Sequence, residues 1–182
     1  MHNKQWSKVK KKLESYICHC LKNRVDFYLT NYRRTHDQTG RAFIIVDNKE
    51  VLNMCSIIAE KAVVKKEDEI RNTQNIRYDV DNYEQNRDIQ RQAAELVMAE
   101  GIFAQYDFFD AVEEFLRLPI ELALKSDNMV IKILSLIDRR VGKRTLQKIK
   151  DSIHEEKDIV QYFFQLRYEA EGLKKKYIYA RD

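Results

Sequence analysis

Between Trp6 and Leu21 the apolar positions Trp6, Val9, Leu13, Tyr16, Ile17, Cys20 and Leu21 recur at intervals of three, four and one. That spacing predicts a single helix with one buried stripe, and Lys8, Lys10, Lys11 and Lys12 fall largely outside the stripe, toward water. Asn23 is a stop signal. The period then changes. Val25, Phe27 and Leu29 alternate with Asp26, Tyr28 and Thr30, Arg33 to Gly40 is polar, and Arg41 to Val46 is rich in β-formers. The pattern predicts two strands of a hairpin with a long loop. Asp47-Asn48-Lys49 predicts a tight turn into a third short strand ending near Met54.

Ser56 predicts the cap of a helix carrying Ile57, Ile58, Ala62 and Val63, after which Lys65 to Gln85 is polar and aperiodic, so a linker or loop is expected at residues 72–84. Every later segment has a helical period: Tyr83 to Tyr106, Phe108 to Leu118, Ile120 to Lys125, Met129 to Arg140, Lys143 to Ile153 and Ile159 to Leu173. Asp107, Asp127 or Asn128, and Asp158 stand where N-caps belong, and Pro119 where a new helix starts. Connections this short make neighbouring helices antiparallel. Met129 to Ile137, interrupted only by Lys132 and Ser135, predicts the central buried helix. The expected fold class is α+β: an N-terminal helix with a three-stranded antiparallel sheet, then a mostly helical C-terminal half of antiparallel hairpins. The expected organisation is an α-β-β-β-α region over 1–71, a linker over 72–84, and a helical bundle region over 85–182 packed on the first as one unit.

Composition sharpens this. The 182 residues hold four Gly and one Pro, too few for a loop-rich all-β chain, and no apolar run is long enough to span a membrane. The start is basic without the apolar stretch of a secretory signal, so a cytoplasmic protein is expected, and its three cysteines are read as thiols. Net charge is only +4, but residues 1–41 carry ten Lys and Arg against three acids, a local +7, leaving −3 for the rest. Within that acidic remainder, Arg139, Arg140, Lys143, Arg144, Lys148 and Lys150 form a second basic cluster, and Lys174 to Lys176 a third. Such runs solvate a helix face or meet an anionic surface.

Two stretches carry a resemblance: Trp6-Ser7-Lys8-Val9-Lys10-Lys11 with Tyr32-Arg33-Arg34-Thr35-His36-Asp37, and Leu136-Ile137-Asp138-Arg139-Arg140-Val141-Gly142-Lys143-Arg144-Thr145-Leu146. Together they resemble a family of uncharacterised bacterial proteins of about this length. The resemblance implies a bacterial cytoplasmic source and brings no activity, cofactor or functional residue.

No motif fixes a reaction. Gly142-Lys143-Arg144-Thr145 lacks the glycine four residues upstream and the hydroxyl directly after Lys that a phosphate-binding loop requires, although the helix start at Lys143 favours an anion. Cys18 and Cys20 point about 200° apart on a helix, so no metal site is expected from Cys18-His19-Cys20, and no cofactor is expected at all. His36-Asp37 lies in the polar hairpin loop, where a solvated histidine is ordinary. Glu14, Asp26, Asp47 and Lys49 imitate the order of a metal-dependent nuclease, yet Asp47-Asn48 is better explained as turn chemistry. The order α-β-β-β-α also occurs in double-stranded-RNA-binding domains, though here the first helix is the basic one. Aromatic and basic residues on one strand face suit stacking and phosphate contact. The expectation is a non-catalytic binding or interaction protein. It would contact nucleic acid or an acidic protein surface through Lys8, Lys10, Lys11, Lys12, Tyr28, Tyr32, Arg33, Arg34 and Arg41, with Arg139, Arg140, Lys143 and Arg144. Metal-dependent nuclease is the alternative.

Overall fold

The computed structural model describes residues 6–32 and 39–173. Its helices are α1 (Trp6–Tyr16), α2 (Ser56–Gln74), α3 (Tyr83–Ala99), α4 (Gln105–Phe115), α5 (Ile120–Ala123), α6 (Met129–Leu136), α7 (Lys143–Ile149) and α8 (Asp158–Ala170). Strands β1 (Val25–Asn31), β2 (Gly40–Val46) and β3 (Lys49–Cys55) form one antiparallel sheet in the order β1-β2-β3. The fold is therefore α+β, with a helical C-terminal half.

The sheet follows the sequence pattern closely. Asp47 and Asn48 both have positive φ, 50° and 64°, which is the two-residue turn whose twist matches a hairpin and which Asn and Asp tolerate. Tyr32 N–H donates to Thr39 O at 2.9 Å and Asp47 N–H to Arg24 O at 2.8 Å. These bonds set Tyr28 opposite Phe43, with the rings stacked at 5.4 Å. Val25, Phe27, Ala42, Ile44, Val46, Leu52 and Met54 are buried.

The chain folds into two compact units that do not follow the boundary read from the sequence. The first comprises 1–26, 45–49 and 111–182; the second comprises 27–44 and 50–110. In the first unit α6 packs on α5 and α8 and buries Val130, Ile131, Ile133, Leu134, Ser135 and Leu136. It is the central helix the pattern predicts. Asn128 caps it, its Oδ1 accepting from the N–H groups of Val130 at 2.9 Å and Ile131 at 3.2 Å.

In the second unit, α2 runs to Gln74, across the start of the expected linker, and forms a hairpin with α3. Polar contacts substitute for the missing apolar period: Lys66 Nζ lies 2.8 Å from Glu100 Oε1, and buried Arg71 donates from Nη2 to Asn86 Oδ1 at 2.9 Å. The helix ends at Asn75 in the left-handed region, φ 56°, where Ile76 N–H returns to Arg71 O at 2.9 Å. α3 stops earlier than its pattern. Gly101 at φ 87° lets Ile102 N–H bond Val97 O at 3.1 Å, closing the helix at Ala99. Two capping expectations are corrected here. Ser56 leaves its own helix and accepts from Gln105 N–H at 3.3 Å. Asp107 is in the first turn of α4, its Oδ2 accepting from Ala104 N–H at 2.7 Å, so it reaches back to the cap as the acidic half of a capping box does. Gln105 Nε2 in turn donates to Thr30 O at 3.2 Å and Asn31 Oδ1 at 3.0 Å. A Cβ at Gly40 would collide with that side chain and with Thr30 O, which explains the glycine.

Candidate functional site

The local event that shapes the first unit is the end of α1. The apolar stripe continues to Leu21, but the helix stops at Tyr16 because its next backbone groups bond elsewhere. Arg139 N–H donates to Tyr16 O at 2.7 Å and Cys18 N–H to Ile137 O at 2.9 Å, so Ile17 and Asp138 form an antiparallel bridge. Pairing with the segment after α6 replaces the helical bonds that α1 would have made. The segment itself is braced by Asp138, whose buried carboxylate accepts from Arg140 N–H at 2.7 Å, Nε at 3.0 Å and Nη2 at 2.7 Å. The Arg140 guanidinium carbon lies 4.4 Å from the centre of the Tyr16 ring, which meets Phe115 edge-on at 6.0 Å.

This bridge joins the end of α1 to the segment that carries Arg139 and Arg140. Lys8 and Lys12 stand two turns and one turn before Tyr16 on the same side of α1, while Arg139 and Arg140 arrive at Tyr16 from the other strand of the bridge. Lys8, Lys11, Lys12 and Arg139 are exposed. Lys10 is engaged instead, its Nζ 2.8 Å from Asp26 Oδ1 and 3.7 Å from Glu14 Oε1. Lys143 donates to Glu171 O at 2.8 Å, and Arg144 is exposed at the start of α7. In the second unit, Tyr28 and Tyr32 are exposed, and Arg41 lies over Phe43 at 4.5 Å and 3.1 Å from Glu50 Oε2. Arg33, Arg34 and the His36-Asp37 pair lie outside the described residues.

The carboxylates of the nuclease pattern have other partners. Asp47 is gripped by Arg24 through Nε at 2.9 Å and Nη2 at 2.7 Å, a side-chain bond that holds its carboxyl below the usual range, and Asp26 faces Lys10. Lys49 is exposed at the start of β3.

A second cluster escapes the sequence argument. Since α1 ends at Tyr16, Cys18 is extended, φ −60° and ψ 151°, and Cys20 lies in a 3-10 turn over His19–Leu21. The divergence expected of a helix is thereby corrected: the two sulfurs are 3.1 Å apart. Cys20 Sγ donates to Glu171 Oε1 at 3.3 Å, and Arg167 Nε donates to that oxygen at 3.0 Å. Arg167 is buried and also donates to Leu136 O at 3.3 Å, Asp138 O at 3.0 Å and Val141 O at 2.8 Å. Burial, followed by the bonds to Cys18 and Glu171, pushes the Cys20 thiol up to about 12. Burial alone would raise Glu171, but the bonds from Cys20 and Arg167 and the charges of Arg167 and Lys143 hold it below the usual carboxylate range. Among the described residues, Cys18, Cys20 and Glu171 present three ligand atoms within 4.8 Å of one another. The only sequence signal is the Cys-x-Cys spacing, and Glu171 lies too far along the chain for any local pattern to include it.

The sequence profile of the SF0329 protein family matches residues 5–168, nearly all of the chain. This chain belongs to the SF0329 protein family. The match contains both stretches on which the resemblance rests, and SF0329 membership assigns no function to any residue. No curated protein and no solved structure matches the chain. Among the described residues, no helix is long and apolar enough to cross a membrane.

Proposed function

We propose that this protein is a non-catalytic binding protein of the bacterial cytoplasm that engages an anionic partner, nucleic acid foremost, through the basic surface of its first unit. The observation that supports this reading is the Tyr16–Arg139 backbone bond, which ties the end of the basic helix α1 to the segment of the second basic cluster, with Lys8, Lys12 and Arg139 all exposed. Lys8, Lys11, Lys12 and Arg139 have no acidic partner within salt-bridge distance among the described residues, unlike Lys10, Arg140 and Lys143. Unpaired cations held on folded backbone neutralise phosphates and release counterions without reading bases, so the binding is sequence-tolerant and sensitive to salt.

The test is fluorescence anisotropy with duplex DNA and RNA at salt from about 50 to 200 mM, the range over which phosphate contacts lose affinity steeply. Retention at low salt that weakens in Lys8→Ala/Lys11→Ala/Lys12→Ala, and again in Arg139→Ala, supports the reading. If neither nucleic acid is retained at the lowest salt, the surface serves an acidic protein or water alone. Metal-dependent cleavage that disappears in Asp47→Ala would replace binding with the nuclease alternative.

A further inference from the structure

Once α1 has ended, the backbone passes from extended Cys18 directly into the 3-10 turn that carries Cys20, and the two side chains converge. Their 3.1 Å separation is tight for two protonated thiols, whose mutual hydrogen bond is weak. Cys20 is half-buried and Glu171 closes the other side of the pair. We propose that Cys18, Cys20 and Glu171 bind a single thiophilic divalent metal ion of the Zn2+ class.

Geometry supports this. Tetrahedral bonds of about 2.3 Å to sulfur and about 2.0 Å to a carboxylate oxygen separate two sulfurs by about 3.8 Å and sulfur from oxygen by about 3.5 Å. The Cys20–Glu171 distance of 3.3 Å is close to that value, and the sulfurs, at 3.1 Å, need to open by well under an ångström. The mixed thiolate and carboxylate set suits a borderline ion better than Cu+, which prefers sulfur alone. The three protein donors leave the fourth tetrahedral position to water or a further ligand.

The surroundings fit as well. Arg167 holds the Glu171 carboxylate in place while its other nitrogens are occupied by backbone carbonyls, which is how outer groups orient a ligand. A metal ion that enters displaces both thiol protons, and the two thiolates with Glu171 then carry one more negative charge than Arg167 and Lys143 offset, which the cation neutralises. A disulfide would be the competing fate. It would draw the sulfurs to about 2.05 Å and leave Glu171 without its thiol donor, whereas a metal ion uses all three groups.

The experiment uses the full chain, reduced and stripped by a chelator, titrated with Zn2+ against a chromophoric competitor and separately with Co2+. We expect one Zn2+ per chain and a Co2+ complex with thiolate charge-transfer and tetrahedral ligand-field bands. Cys18→Ser and Cys20→Ser should each weaken Zn2+ by more than the 10- to 100-fold that losing an outer partner costs, and Glu171→Gln by about 10-fold or more. Cys55→Ser, in the other unit, should leave binding unchanged. If a serine variant fails to fold, the Co2+ spectrum of the unaltered chain decides by itself. Absence of the charge-transfer bands, Zn2+ affinity in the Cys18 and Cys20 variants equal to that of the unaltered chain, or a Cys18–Cys20 disulfide that survives reductant and blocks Zn2+ would each overturn the site.

Discussion

A guanidinium as deeply buried as that of Arg167, 2% exposed, is costly unless every donor finds an acceptor. The fold supplies the carbonyls of Leu136, Asp138 and Val141 and the Glu171 carboxylate. Arg167→Met should therefore cost about 3–5 kcal/mol in denaturant melts, because it orphans those acceptors, and Arg167→Lys should recover only part, since a single ammonium cannot span them. A loss within about 0.5 kcal/mol would show that the bonds are dispensable. Asp107 gives a pH test. Burial holds its carboxyl above the ordinary 3.8, aided by the charge of Asp110 and opposed by the bond from Ala104 N–H. The native state thus keeps that proton more tightly than the unfolded chain. The resulting stabilisation is full below about 3.8 and is lost as pH rises through the raised value. Asp107→Asn retains an oxygen for Ala104 N–H but cannot ionise, so its stability should gain on the unaltered chain between acid and neutral pH. A difference that stays constant across that range in urea midpoints would contradict the shift. Neither residue is marked by spacing: an arginine in a helix and an acid near a cap are both commonplace until burial is known.

Among the elements, α6 is the most legible because nearly every position is apolar, and a helix apolar on all sides has to be enclosed. Leu134→Ala should cost about 2–5 kcal/mol through the cavity it leaves. Asn128→Ala should cost about 1 kcal/mol and Asn128→Asp close to nothing, because aspartate can accept from the Val130 and Ile131 N–H groups as well. Denaturant midpoints of the three variants check both statements, and a Leu134→Ala loss under about 0.5 kcal/mol would contradict enclosure of α6. By contrast, the sequence pattern truncates α2, because Lys65 to Gln74 has no apolar period. Its partners are Glu100 and Asn86 on or just after α3, contacts a one-dimensional pattern cannot express. α1 departs from its pattern in the opposite direction. Its stripe is periodic through Leu21, yet hydrogen bonds to Ile137 and Arg139 take the backbone away from the helix.

For the whole molecule, the distribution of charge matters more than the net +4. If Lys8, Lys11 and Lys12 each neutralise one phosphate, replacing all three by Ala should lower the magnitude of the log affinity against log salt slope by about 2.7 for duplex DNA. An unchanged slope would place the contacts elsewhere. The units also differ from the expected division at residues 72–84, since α3 lies in the same unit as α2. The N-terminal helix instead shares a unit with α5 to α8, because its end is paired to the strand after α6.

The sequence by itself determined the α+β class, the hairpin with its Asp47-Asn48 turn, the enclosure of α6 and the two separate basic runs, because each depends on local period, turn chemistry or composition. Tertiary structure decided where α1 stops, how far α2 continues, that the end of α1 pairs with the segment carrying Arg139, and that Cys18, Cys20 and Glu171 meet. The end of α1 and the meeting of the cysteines with Glu171 depend on backbone hydrogen bonds between Tyr16–Cys18 and Ile137–Arg139 and on a side chain more than a hundred residues away, and the length of α2 depends on Glu100 and Asn86. A helical stripe shows which side of a segment can be buried. It does not show whether the next carbonyl will bond its own helix or a distant strand, and here the distant strand prevailed.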